Sequence, residues 1–267
     1  MIYCKLKGGL GNMLFQIAAA KSLAIDNNTD CYFPNLLEHL KYLDIDKTHN
    51  PELNHSNEYI QILKKLKVNS LPQNRTSLIT YPFDFIETPT IKENTIIDGF
   101  FQSEKYFSHN RNEILKFLNF DFIEKESIEK KYEFIFSKRC TSIHIRRGDY
   151  LKYPNHHPVQ TSKYYLDAIE ILNKDTDLFI VFSDDINWCK ENLKLDNIIY
   201  IEGEKDYIEL YLMKNCHNNI TSNSSFSWWG AWLNENPSKK VVGPLIWFGN
   251  AIKHNTGDIL PEKWIKI

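Results

Sequence analysis

No C-x-x-C pair occurs among the five cysteines of this 267-residue chain, Cys4, Cys31, Cys140, Cys189 and Cys216, which are odd in number and widely separated. That spacing fits neither a zinc site nor a disulfide framework. Neither sign of charge is in excess. The 32 Lys and Arg against 34 Asp and Glu leave a formal charge of −2, which argues against broad electrostatic capture of nucleic acid and makes any anion site local. No stretch approaches the roughly 20 apolar residues of a membrane span. The amino terminus lacks a basic region followed by a long apolar run, so the expectation is a cytoplasmic protein with no transmembrane segment. Sequons such as Asn74-Arg75-Thr76 and Asn219-Ile220-Thr221 carry no meaning without export. A Ser-His-Asp order, H-E-x-x-H and G-x-S-x-G are all missing, which leaves hydrolase templates without a foothold.

What is present is an ordinary globular composition, 42% hydrophobic and 25% charged, in a chain long enough for one large α/β domain or two small ones. Ile2 to Leu6 is β-prone, Gly8-Gly9-Leu10-Gly11-Asn12 turns it, and Met13 to Ala24 is apolar at helical spacing. Leu14 stands where G-x-G-x-x-G needs its third glycine, and no Lys-Ser/Thr follows, so the dinucleotide fingerprint fails. A tight turn remains, either a plain strand-to-helix turn or one that brings backbone amides and the Asn12 side chain to a ligand. Between Asp26 and Lys138 the pattern predicts helices near Leu36 to Leu43, Tyr59 to Leu66 and Asn112 to Leu118, and strands near Ser77 to Tyr81 and Thr95 to Phe101.

From Thr141 onward short apolar runs, Ser142 to Ile145, Leu178 to Phe182, Ile198 to Ile201 and Val241 to Val242, alternate with amphipathic stretches at Ser162 to Leu172, Asn187 to Leu193, Asp206 to Cys216 and Ser225 to Leu233, and a further short strand is expected at Asn218 to Thr221. This implies β-α-β crossovers, a mostly parallel sheet and a Rossmann-type domain, whose ligands bind beyond the carboxyl ends of the strands. The residues at those ends are polar: Arg146, Arg147 and Asp149 after the first run, Ser183, Asp184 and Asp185 after the second, Thr221 to Ser225 after Ile220.

Ser142-Ile143-His144-Ile145-Arg146-Arg147-Gly148-Asp149-Tyr150 reads as a phosphate clamp, because an arginine fork holds phosphate oxygens through two hydrogen bonds. A surface ion pair of either arginine with Asp149 is the plainer alternative. Ser224 and Ser225 cap the helix beginning at Phe226, whose free amides also favour an anion. Asp184 and Asp185 either contact a base or ribose or cap the helix at Asn187. Asp175-Thr176-Asp177 matches a metal-binding D-x-D string but enters a strand at its amino end, the wrong edge for a ligand. Phe226 to Trp232 is an aromatic stripe expected in the core. His144 alternates with Ile143 and Ile145 and is expected to face the ligand, and His156 and His157 sit in a proline-flanked loop.

His144-Ile-Arg146-Arg147-Gly148-Asp149-Tyr150 resembles the H-x-R-R-x-D-Y signature of family 11 glycosyltransferases, the α-1,2-fucosyltransferases. Gly8-Gly-Leu-Gly-Asn12-Met-Leu-Phe15-Gln16 is similar to that family's G-G-L-G-N-Q-M-F-Q without its first glutamine, and Gly99-Phe-Phe-Gln102-Ser-Glu-Lys-Tyr106-Phe107 to its G-[FY]-[FW]-Q-S-x-x-Y-F segment. Ser183-Asp184-Asp185 and Asn223-Ser-Ser-Phe226-Ser-Trp-Trp229-Gly-Ala-Trp-Leu233 match the remaining blocks, so the ordered similarity spans almost the whole chain.

The resemblance implies a GT-B-like architecture of two Rossmann-type lobes, 1–138 on the acceptor side and 139–267 binding GDP-β-L-fucose. It further implies inversion to an α-linkage, no cofactor and no required metal, with a terminal β-galactoside as acceptor in surface-glycan or O-antigen synthesis. By similarity Arg146 holds the β-phosphate with Arg147 beside it, and Asn223, Ser224, Ser225 and Phe226 line the pyrophosphate or ribose. His144 and Asp184 contact the nucleoside, and Asn12 reaches in from the other lobe. Gln102, Glu104 and Tyr106 fall on the acceptor side. For the base that takes the acceptor proton, Asp149, His157 and Glu104 stay open. A lipid-linked glycan acceptor implies peripheral membrane contact. Two alternatives are a transferase of another deoxysugar or linkage on the same scaffold, and a nucleotide-sugar or glycan-binding protein without turnover.

Overall fold

Ile2–Cys4 forms the first strand, β1, and runs through a glycine turn into α1 (Leu10–Asp26). The turn needs glycine at position 8, where φ is +75° and a Cβ would lie 2.4 Å from Asn12 Nδ2. Then follow β2 (Cys31–Tyr32), α2 (Leu36–Asp46), α3 (His55–Leu63), β3 (Ser77–Thr80), β4 (Thr95–Asp98) and α4 (Arg111–Phe117). The strands make a parallel sheet in the order β2-β1-β4-β3. Met13, Leu14, Phe15, Ile17 and Ala18 are all buried, so α1 is held by burial on most of its faces and not by one apolar stripe. The structure, a computed structural model, describes residues 1–46, 55–74 and 77–267, so the sequon at Asn74-Arg75-Thr76 falls partly outside the described residues.

The rest of the chain supplies α5 (Lys125–Lys131), α6 (Glu133–Ser137), β5 (Cys140–Ile145), α7 (Ser162–Leu172), β6 (Leu178–Ser183), α8 (Ile186–Asn192), β7 (Ile198–Tyr200), α9 (Asp206–Asn215), β8 (Asn218–Ile220), α10 (Ser225–Leu233), β9 (Val241–Gly243) and β10 (Ile265–Lys266). A second parallel sheet results, in the order β10-β9-β8-β5-β6-β7. From β5 the chain steps outward to β6 and β7, then returns to the other side of β5 for β8, β9 and β10. The strand order therefore reverses between β5 and β8, the place where open α/β sheets bind ligands. All six residues of β5 are buried, as expected for a central strand covered on both faces. Ile143, Ile145, Phe179 and Val181 pack there against Tyr165, Ala168 and Leu172 of α7.

Most of the predicted elements are present to within a few residues, and α7 and α10 match their expected limits. Short β2 and β10 and the helices α5 and α6 had no periodic signal long enough to read. The expected division at 138/139 differs from the observed one. The chain forms two units, Met1–Phe122 with His254–Pro261, and Ile123–Lys253 with Glu262–Ile267. The reasons are side-chain ties distant in sequence. Glu204 accepts from Tyr132 Oη at 2.6 Å and Glu129 from Tyr211 Oη at 2.5 Å, which joins α5 and its carboxyl-terminal flank to α9 and the loop before it. Asp258 pairs with Lys105 and accepts from the Phe85 amide, and His254 stacks on Phe83, which ties 254–261 to the first unit.

Two asparagines in β8 look out of place in a buried strand, but a polar network accounts for them. Asn219 Nδ2 donates to Ser142 Oγ on β5 (2.7 Å) and to the Met213 carbonyl on α9 (2.8 Å), and its Oδ1 accepts from Asn234 Nδ2 (2.9 Å). Asn234 also donates to the Cys216 carbonyl at 2.8 Å. Every buried amide in such a network is costly to leave alone. Asn234→Ala is expected to destabilise the protein by about 1–3 kcal/mol, read as a lowered urea midpoint with an unchanged slope.

Candidate active site

β5 ends on Ile145, and the next side chain, Arg146, stands between two carboxylates. Its Nη2 lies 2.7 Å from Asp149 Oδ1 and its Nη1 lies 3.0 Å from Asp184 Oδ2. Burial pulls the Arg146 pKa down, and the charges of Asp184 and Asp149 more than restore it, so the guanidinium stays charged. Both contacts are ion pairs at the end of β5. Asp184 arrives on the adjacent strand β6 and also accepts from the Arg147 amide at 2.8 Å. Its close approach requires Gly148, where a Cβ would meet Asp184 Oδ2 at 2.7 Å. Arg147 turns to a different task. Its Nε donates to Asp185 Oδ2 at 2.9 Å and its guanidinium lies 4.2 Å from the Trp188 ring, while Asp185 caps α8 through the Trp188 amide. The arrangement thus fixes Arg147 to α8 and leaves Arg146 as the guanidinium beside the strand-order reversal.

On the other side of β5 the loop after β8 is held from several directions. His144 Nδ1 hydrogen-bonds to Ser222 Oγ at 3.0 Å across the reversal, with its ring 5.4 Å from that of Phe226. Burial, with Arg146 adding its charge, pushes the imidazole down to about 3, so His144 is neutral in ordinary buffers. Asn223 donates through Nδ2 to the carbonyls of Pro158 and Trp247, both at 3.0 Å, while its buried Oδ1 has no partner. Tyr150 Oη donates to the Asn223 carbonyl at 3.0 Å, and Tyr164 Oη donates to the Thr221 carbonyl at 2.6 Å. Ser224 caps α10, accepting from the Phe226 amide at 3.3 Å, and Ser225 opens that helix. Amides at a helix start suit an anion, and an unused buried amide oxygen suits a donor group. His157 stacks on Tyr150 at 4.8 Å. Burial lowers its pKa, Asp149 opposes that shift, and Nδ1 has no partner.

In the first unit the comparable place is the edge where the order breaks between β1 and β4. Gln102 Nε2 donates to Asn12 Oδ1 at 2.7 Å, its Oε1 is buried without a partner, and the preceding Phe101 holds φ at +53°. A non-glycine residue in that conformation is uncommon and concentrates at binding sites. Glu104 opens a short 3-10 turn capped by Ser103. Tyr106 is buried, donating to the Asp84 carbonyl at 3.0 Å and accepting from the Ile86 amide at 3.2 Å, so it organises the segment before β4.

The structure gathers His144, Arg146, Arg147, Asp149, Asp184 and Asn223 at one sheet edge of the second unit, and Asn12 with Gln102 at one edge of the first. The D-x-D carboxylates lie elsewhere and are occupied, Asp175 with Lys240 at 2.5 Å and Asp177 with Arg139 at 2.7 Å. Among the described residues no group of three His, Cys, Asp or Glu side chains is placed to hold a metal ion, and no helix is long and apolar enough to cross a membrane. All five cysteines are buried and free. Glu209 lies in the first turn of α9. Burial and the charges of Asp206, Asp184 and Glu204 push its carboxyl well above the usual range, and the only sequence signal was its place in the first turn of the helix after β7.

The profile of glycosyl transferase family 11 matches residues 5–267. An α-1,2-colitosyltransferase of Escherichia coli is 30% identical over 100% of this chain and 99% of its own length. An O-antigen biosynthesis glycosyltransferase of Escherichia coli, WbnK, is 29% identical over 100% of both chains. Among solved structures, the NodZ α-1,6-fucosyltransferase soaked with GDP-fucose aligns with a TM-score of 0.51 at 13% identity, covering 87% of this chain and 92% of that one, a likeness of fold.

Because the folded imidazole of His144 titrates at about 3 against 6.5 ordinarily, the unfolded chain binds the extra proton first. His144 neutrality therefore stabilises the fold fully above pH 6.5, and that stabilisation is lost as pH falls toward 3. Replacing it, His144→Gln, is expected to flatten the pH dependence of the urea midpoint across that window.

Proposed function

The chain belongs to glycosyl transferase family 11, and we propose that it transfers L-fucose from GDP-β-L-fucose, with inversion and without a required metal, to the 2-hydroxyl of a terminal β-galactoside. The observation that carries this is Arg146, charged and nearly enclosed at the strand-order reversal of a Rossmann-type sheet, beside a helix start and a polar loop. When the sugar departs, negative charge grows on the diphosphate, and a metal-free enzyme must meet it with its own donors. Arg146 supplies a guanidinium fork for the β-phosphate, and the Ser225 amide at the start of α10 donates to a neighbouring oxygen. His144, neutral, and Asp184 serve the nucleoside, with Asn223 Oδ1 available to a ribose hydroxyl. Asn12 serves the donor and Gln102 the acceptor.

The diphosphate competes with Asp149 and Asp184 for Arg146. His157, neutral above its lowered pKa and backed by the Asp149 charge, takes the proton from the acceptor hydroxyl as the oxocarbenium-like centre forms. The carboxylate stabilises the imidazolium that results. Cytoplasmic action on a lipid-linked glycan at the membrane surface, in surface-glycan or O-antigen synthesis, accords with the O-antigen relative. The colitosyltransferase relative favours a second reading, the same chemistry with the 3-deoxy counterpart of fucose. A pocket that hydrogen-bonds the sugar's 3-hydroxyl rejects the analogue lacking it, whereas an apolar one discriminates weakly.

With GDP-fucose and lactose or N-acetyllactosamine, product with and without EDTA is expected to be equal, and linkage analysis to give an α-1,2 bond. Product that appears only from GDP-colitose selects the second reading. Arg146→Ala is expected to lower kcat about 10²–10³-fold and to weaken GDP in a calorimetric titration, while Asp175→Asn leaves both unchanged. His157→Gln is expected to lower kcat about 10²–10⁴-fold with GDP affinity retained, and to remove the acid limb of the kcat profile, which in the parent enzyme falls below the ordinary imidazole pKa.

A further inference from the structure

The first unit contains a cavity of about 330 Å³ that none of the steps above uses. Leu23 and Asp26 of α1 form one wall, and the irregular segment after β3, with Tyr81, Phe85 and Glu87, forms another beside His109. Asn12 sits in the first turn of α1 and Asp26 ends it. Fourteen residues separate them, about 21 Å of helix, so the Asp26 end of the cavity lies far from the Asn12–Gln102 pair.

The chemistry of the lining selects its ligand. Tyr81, Phe101, Tyr106 and Phe85 brace one another, with centroid separations of 4.8 Å for Tyr81–Phe101 and 4.9 Å for Phe85–Tyr106, and Phe101, only 1% exposed, backs an aromatic wall of the other three. The Asp26 carboxylate is fixed by His109 Nε2 at 2.9 Å and Asn110 Nδ2 at 2.7 Å, and Glu87 adds a second acidic group. Lys105, which also lines the cavity, is paired with Asp258. The balance disfavours phosphate or carboxylate ligands. Tyr81 is only 5% exposed and its hydroxyl has no partner of hydrogen-bond geometry, with Thr88 alongside but not aligned. A buried phenol ordinarily finds a partner.

We propose that this cavity binds a neutral hexose unit, an inner sugar of the acceptor glycan and not the one that reacts. The aromatic wall packs against the ring's C–H face, the two carboxylates accept its hydroxyl protons, and Tyr81 Oη bonds a ligand hydroxyl. A volume near the lower end of the ~300–1,000 Å³ range of ligand pockets suits one sugar ring. The inference rests on the reading that the acceptor is a glycan, but its test needs no donor and no turnover.

The experiment is saturation-transfer NMR of the nucleotide-free protein with lacto-N-neotetraose, a neutral tetrasaccharide ending in β-galactose, and with lactose. Inner-ring protons of the tetrasaccharide are expected to be saturated. Tyr81→Phe, which keeps the ring and removes only the hydroxyl, and Glu87→Gln are each expected to raise the tetrasaccharide Kd about three- to tenfold while leaving calorimetric GDP affinity unchanged. Absence of inner-ring saturation in the parent protein, or an unchanged Kd in both variants, overturns the site. Fucosyl transfer that fails while tetrasaccharide binding responds to both variants sinks the proposed reaction and keeps the cavity. Transfer that proceeds while binding ignores both variants does the reverse.

Discussion

A single guanidinium wedged between two carboxylates governs the second unit. Arg146 follows a strand buried along its whole length, and at 2.7 and 3.0 Å it balances Asp149 and Asp184. Removing one partner of such a half-buried trio leaves uncompensated charge, which is why the local geometry is so fully specified. Gly148 admits the Asp184 side chain, the Arg147 amide anchors that carboxylate, and the Arg147 side chain is diverted to Asp185 and Trp188. Two adjacent arginines thus take different partners, Arg147 those of α8 and Arg146 the carboxylates of Asp149 and Asp184.

Both units solve the same geometric problem in the same way. In each parallel sheet the strand order breaks once, and in each a side-chain hydrogen bond spans the break, Gln102 to Asn12 between the β4 and β1 edges and His144 to Ser222 between β5 and β8. The carboxyl ends of neighbouring strands diverge there, so polar side chains find room without penetrating the core. Some of the buried polar atoms without a hydrogen-bond partner lie near these breaks. Gln102 Oε1, Asn223 Oδ1 and His157 Nδ1 are all close in sequence to those breaks or packed against residues that are.

Much of this was legible in the residues. Short apolar runs separated by amphipathic stretches disclosed the second sheet, and the polar residues after Ile145, Ser183 and Ile220 marked the edge. The aromatic helix was read correctly as core, with Trp228 and Trp229 fully buried. What escaped notice depends on contacts between distant positions. Nothing local in Asn218-Asn219 announces a buried amide network, and nothing in Arg146-Arg147 tells which arginine faces Trp188. The assignment of α5 and α6 to the second unit hangs on tyrosine hydroxyls meeting Glu204 and Glu129, a pairing no periodicity encodes. His144 follows the strand alternation as expected, yet its burial and bond to Ser222 keep it uncharged, a property that only the packing reveals.

The path of the chain has a further effect. Residues 254–261 return to the first unit before 262–267 complete the second, so three backbone crossings, after Phe122, Lys253 and Pro261, stitch the units together. A fragment stopping at Phe122 would forfeit Asp258, the counterion of Lys105 and the acceptor for the Phe85 amide, along with the His254 ring that covers Phe83. Each unit is therefore built from segments that are not consecutive in sequence. Neither can be excised by a single cut, and loosening of the carboxyl-terminal strap is felt in the aromatic wall of a sheet whose own strands were finished more than a hundred and fifty residues earlier.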